Sequence, residues 1–132
     1  MKKITILCTA ILFLTACGKS GITGTWMLDE QRTDSFAESS TFNESDYRDF
    51  KTAFLVTDID IKSSGYSLPF FGETMECEFS NYSQTRATGI CKWNNLDFQS
   101  SWVKEEQNEY DELRWRINFY DESAIFVYRR AN

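Results

Sequence analysis

Leu113, Trp115, Ile117 and Phe119 alternate with Glu112, Arg114, Arg116 and Asn118. A strict period of two sends each set to one face of a strand, so this stretch buries one face and wets the other. The same period recurs from Leu55 to the end, and it predicts strands near 55–62, 66–71, 74–81, 86–93, 96–104, 110–120 and 124–130. Turn-formers divide most of them: Ser63-Ser64-Gly65, Gly72-Glu73, Asn94-Asn95 and Asp121-Glu122-Ser123. The joint at 105–109 is charged and polar. A further strand at 23–30, with Trp26 and Leu28 on one face, brings the count to eight. Short connections between so many strands favour antiparallel up-and-down order. The expected fold is mainly β, a small eight-stranded up-and-down barrel. Pro69 suits an edge or a bulge, because it has no N–H for a central ladder.

Between the first two strands the pattern changes. Asn43 is a capping residue with Asp46 three positions on, and Tyr47, Phe50 and Phe54 recur at helical spacing. One short amphipathic helix over 44–54 is predicted. The polar stretch from Asp29 to Thr41 reads as a long loop.

The N-terminus has a different character. Lys2 and Lys3 precede an apolar run from Ile4 to Thr15, too short for the about 20 residues of a spanning helix. A basic start, a brief apolar stretch and a small-residue exit make a secretory signal. Its end, Leu14-Thr15-Ala16-Cys17, resembles the lipobox of bacterial lipoproteins at every position. That resemblance implies cleavage before Cys17 and acylation of its thiol by palmitate-type chains. Residues 1–16 would then be the signal peptide, 17–21 a lipidated tether and 22–132 the folded domain. An ordinary signal with a chance cysteine is the alternative. Gly18 stands where the family's inner-membrane retention signal has Asp, which by resemblance points to the outer membrane. Each buried CH₂ of an acyl chain contributes about 0.8 kcal/mol, so two or three chains hold a protein at the bilayer.

Charge narrows the partners. The chain carries −6, and without Lys2 and Lys3 twelve basic residues against twenty acidic ones leave −8. Phosphate backbones and anionic head groups repel such a protein, so nucleic acid is excluded as an expected partner while a basic protein is admitted. Removal of the signal also discards Cys8, leaving Cys77 and Cys91 beside the lipidated Cys17. In an oxidising compartment these two are expected to pair, with two free buried thiols as the alternative. Met75, Cys77 and Phe79 share a face, and the next strand returns through Cys91. In a hairpin the two cysteines can lie opposite one another, and a bridge there would contribute about 2–4 kcal/mol.

Eight meandering strands with Gly24-Thr25-Trp26 on the first resemble the lipocalin superfamily. That resemblance implies that Trp26 crosses the barrel floor and that an arginine of the last strand, Arg130 or Arg129, covers its indole. A usual lipocalin carries its helix after the barrel, whereas here the helix precedes the second strand, and the chain is shorter. The candidate lumen residues are Trp26, Phe79, Phe98, Trp102, Trp115 and Phe119. They form either an aromatic ligand site or a packed core, since an eight-stranded barrel is just wide enough for its side chains or one small ligand.

Catalytic machinery is not expected. The chain has no histidine, the commonest general base and metal ligand. Asp58/Asp60 and Glu76/Glu78 alternate with apolar residues and read as solvated outer faces. The Asp58-Ile59-Asp60 spacing lacks the glycine and distal glutamate of a calcium loop. No phosphate loop or Gly-x-Ser-x-Gly is present. Two functions remain, both without a cofactor or metal. One is a membrane-anchored, lipocalin-like lipoprotein binding a small apolar ligand, with helix 44–54 as a lid. The other is an envelope lipoprotein with a solid barrel that binds a protein, for example as an inhibitor of a basic hydrolase such as lysozyme.

Overall fold

The structure is a computed structural model and describes residues 21–105 and 111–131. Eight antiparallel strands form a nearly closed barrel: β1 Gly24–Leu28, β2 Ile59–Ile61, β3 Gly65–Phe70, β4 Glu73–Tyr82, β5 Arg86–Trp93, β6 Leu96–Glu105, β7 Glu112–Phe119 and β8 Glu122–Arg130. The sheet order is β2-β1-β8-β7-β6-β5-β4-β3, so sequential strands are neighbours and β1 closes onto β8. Between β2 and β3 the ladder is reduced to one rung, Lys62 with Gly65. This is the up-and-down barrel that the alternation predicts. The signal peptide, the lipobox and Cys17 lie outside the described residues.

Burial follows the period of two. On β7 Leu113, Trp115 and Ile117 are buried, and on β6 Phe98, Ser100, Trp102 and Lys104 alternate inward. Pro69 lies in β3, at the end of the sheet order, where its missing N–H costs no rung. Among the described residues the register shifts at a bulge on β4 between Phe79 and Asn81.

Strand ends shift by one or two residues throughout, and two stretches differ more from the sequence reading. The strand expected over 55–62 shrinks to Ile59–Ile61, because the preceding helix continues to Leu55. That helix, α2 (Glu44–Leu55), begins as predicted, with the Asn43 side chain accepting from the backbone N–H of Asp46. The polar stretch after β1 is not a long loop. It holds α1 (Glu30–Asp34) and a 3₁₀ turn, Ala37–Ser39. Asp29 caps α1 by accepting from the Arg32 N–H. The buried Thr33 hydroxyl donates to the Val127 carbonyl and accepts from the Val127 N–H, pinning α1 beside β8 just past the end of β1. Tertiary bonds of this kind stabilise a helix too short to persist alone.

α2 closes one end of the barrel. Tyr47 stacks on Phe126 with centroids 5.8 Å apart, Phe50 meets Phe70 at 5.0 Å, and Phe54 is fully buried. The hairpins β3–β4, β5–β6 and β7–β8 turn at this same end. Asn94 and Asn95 both have positive φ in the β5–β6 turn, a conformation asparagine tolerates well.

Candidate functional site

The opposite end is closed by Trp26 and Arg130, which are register partners across β1 and β8. The Trp26 indole N–H donates to the Ile22 carbonyl at 2.7 Å, fixing the ring across the floor. Arg130 lies over that ring and donates to Asp111 at 2.8 Å, to the Thr23 carbonyl at 3.1 Å and to the Gly21 carbonyl at 2.6 Å. Gly24 makes room for this arrangement: its φ is +135°, and a Cβ there would stand 2.6 Å from the guanidinium. The glycine of Gly24-Thr25-Trp26 thus has both a conformational and a steric reason.

Between the two ends the lumen is bridged by rings. Trp102 and Trp115 stack almost parallel, 4.7 Å apart and 5° from coplanar. Tyr66, on β3 across the barrel, meets Trp102 at 5.5 Å and Trp115 at 5.7 Å. Tyr128 packs on Trp102 at 5.4 Å, and Phe54 of α2 reaches Trp115 at 4.9 Å. Phe98 and Phe119 meet edge-on at 5.5 Å and join the other rings through Phe50, and Phe119 is only partly buried. Phe79 is also partly buried and touches Tyr66 at 5.5 Å. Of the six candidate rings, the structure therefore unites Trp102 with Trp115 and Phe98 with Phe119. Trp26 belongs to the floor and makes no ring contact among the described residues.

Tyr66, Phe70, Phe126 and Tyr128 complete the ring packing although they were not among the candidates. Their signal was available: Tyr66, Leu68 and Phe70 alternate on β3, and Ala124, Phe126, Tyr128 and Arg130 on β8.

The polar groups of this core are unevenly served. The Tyr66 hydroxyl contacts Ser100 at 3.2 Å and the Cys91 sulfur at 3.4 Å. Burial raises its pKa, opposed by the Ser100 hydroxyl and by the nearby Trp102 and Trp115 indole N–H groups, which stand short of hydrogen-bond geometry. Yet the indole N–H groups of Trp102 and Trp115 make no hydrogen bond among the described residues, nor does the Tyr128 hydroxyl. Burial also raises the Tyr128 pKa.

The disulfide occupies the neighbouring wall. Cys77 and Cys91 are register partners on β4 and β5, and their sulfurs are bonded at 2.01 Å. Both residues are buried, so the bridge staples the hairpin from inside. On the outer face, Glu112 takes both Arg32 and Arg114, and at the floor Asp111 takes Lys104 and Arg130. Asp58, Asp60, Glu76 and Glu78 are exposed. Among the described residues no three His, Cys, Asp or Glu side chains gather where a metal ion could be held. Comparisons with protein families, with curated proteins and with solved structures find no match to this chain.

Proposed function

We propose that this chain is a lipid-anchored protein of the bacterial envelope whose barrel is a solid scaffold for binding another protein. The observation that carries this reading is the meeting of Tyr66 with Trp102 and Trp115 from the opposite wall. Rings in contact across a lumen, with α2 over one end and Trp26 under Arg130 at the other, leave ligand binding to the outer surface. The envelope location rests on Leu14-Thr15-Ala16-Cys17 and on the apolar run before it. The net charge of the mature domain selects a basic partner, and inhibition of a basic hydrolase such as lysozyme is one activity of that class.

A second reading, a lipocalin-like carrier for a small apolar ligand, draws on one observation. Among the described residues three buried polar groups, at Trp102, Trp115 and Tyr128, make no hydrogen bond, and a ligand's acceptor atom would serve them. It requires the stacked rings to part, which costs their mutual packing.

Capture from envelope extract tests the first reading. The intact protein, immobilised through its lipid, should retain a basic protein at low salt and release it at high salt. Recovery of no salt-sensitive partner would overturn it.

A further inference from the structure

The α2 end of the barrel exposes a continuous line of rings. Tyr120, at the tip of the β7–β8 turn, lies 4.7 Å from Phe119, and Phe119 lies 6.2 Å from Phe50 of α2. Phe50 reaches Phe71 of the β3–β4 turn at 6.3 Å, and Phe71 reaches Trp93, at the end of β5, at 6.0 Å. Phe50, Phe119 and Trp93 are partly buried, while Phe71 is 53% and Tyr120 78% exposed. Single exposed apolar residues are ordinary, but rings in series make a patch of the kind that marks an interaction site.

The backbone holds two of these rings out in an unfavourable conformation. Among the described residues the non-glycine positions with positive φ are Phe71, Asn94, Asn95 and Tyr120, and all lie in the three turns of this end. Asparagine enters that region readily, whereas a bulky ring there is an outlier. A turn that served only to reverse the chain would favour Asn or Gly at 71 and 120.

Charge around the patch is one-sided. The turns and the strand ends they join, 70–74, 93–97 and 119–123, carry Glu73, Asp97, Asp121 and Glu122 and no Lys or Arg. Among the described residues none of these four is in an ion pair. Lys92, register partner of Asp97, offsets one of them, and on α2 the exposed Arg48 is flanked in sequence by the exposed Glu44, Asp46 and Asp49. Such a surface repels a second copy of itself and an anionic bilayer, and attracts a basic protein. The chain also enters at the far end, where Trp26 and Arg130 donate to the Ile22 and Gly21 carbonyls, so a lipid tether leaves this patch turned away from its own membrane.

We propose that this ring patch docks a basic partner protein, with Phe71 and Tyr120 seated on an apolar area of the partner and Lys or Arg at its border meeting Glu73, Asp121 and Glu122. This deepens the protein-binding reading and rests on it. The rings anchor and exclude water, while the carboxylates at the rim steer the encounter and select the partner's charge.

Photocrosslinking in native envelope tests it. The intact lipidated protein carries Phe71→benzoylphenylalanine or Tyr120→benzoylphenylalanine, with Thr88→benzoylphenylalanine, exposed on the wall of β5, as the control. Both patch positions should form an adduct with the same basic protein, reduced about tenfold or more at high salt, and Thr88 should form none. Tyr120→Asn, which suits the turn, should weaken binding of that protein by about tenfold or more without lowering the melting temperature. Glu73→Lys with Asp121→Lys, both at exposed positions, should weaken it likewise. An adduct with lipid, with a second copy of this chain or with an acidic protein would overturn the proposal, as would equal labelling from Thr88 or unchanged binding by either variant. If the immobilised protein captures a salt-sensitive basic partner that neither patch position labels, the patch is the wrong surface and the scaffold reading stands. If no such partner is captured, the scaffold reading itself fails.

Discussion

The guanidinium carbon of Arg130 lies 4.2 Å from the ring centroid of Trp26 and joins the ends of β1 and β8 into one floor. A cation over an indole contributes about 0.5–2 kcal/mol, and hydrogen bonds to a charged group about 1.5–3 kcal/mol. Arg130→Ala should destabilise the domain by about 2–4 kcal/mol in denaturant unfolding. Arg130→Lys should recover less than half, because a point charge cannot stack and reach Asp111, Thr23 and Gly21 together. Equal stability of both variants with the parent would contradict this.

Tyr128 is buried with no partner for its hydroxyl among the described residues. Removing an unpartnered buried polar atom at nearly constant volume relieves a desolvation cost of about 1–3 kcal/mol. Tyr128→Phe should leave stability at neutral pH unchanged or raise it by about 1 kcal/mol. Its folded pKa is raised, so the contribution is complete below the ordinary value of 10.0 and is lost as pH rises above it. Thermal melts in alkali should therefore fall less steeply for the variant, and a large loss at neutral pH would show that the hydroxyl has a partner.

At the other extreme of pH, two carboxyls are decisive. Burial alone would raise Asp111 and Glu112, but hydrogen bonds from Arg130 and Lys104 to the first, and from Arg32 and Arg114 to the second, hold both below 3.8 and 4.5. A lowered folded pKa contributes stability above the unfolded value and loses it as pH falls through the folded one. The unfolding midpoint should drop below pH of about 4.5, and Asp111→Asn with Glu112→Gln should flatten that limb. Parallel acid limbs for variant and parent would place the acid sensitivity elsewhere.

Much of this fold is legible in the chain because its evidence is periodic. Leu113, Trp115, Ile117 and Phe119 declare a strand without reference to anything distant, and Tyr47, Phe50 and Phe54 declare a helix in the same way. α1 has no such pattern. Its five residues are polar, and what holds them is a bond from Thr33 to Val127 and an ion pair from Arg32 to Glu112, both long-range. The Cys77–Cys91 bridge was legible from the hairpin register. The shortened ladder between β2 and β3 was not, since no local pattern says that only the Lys62–Gly65 rung forms.

Tyr120 has φ of 57° and is 78% exposed at the tip of the β7–β8 turn. A bulky side chain in the left-handed region costs about 1–2 kcal/mol relative to residues that enter it freely. Tyr120→Asn should raise stability by about 1 kcal/mol, less whatever the ring gains from Phe119 at 4.7 Å. A lower melting temperature would mean that the ring contact outweighs the backbone strain.

The solid lumen is tested most directly by titrating the intact protein with a fluorescent fatty acid while following probe emission and tryptophan quenching. With Tyr66, Trp102 and Trp115 in mutual contact and Phe54 against Trp115, both signals should stay flat up to the probe's solubility limit. Saturable binding with tryptophan quenching would contradict the scaffold and establish a carrier in its place.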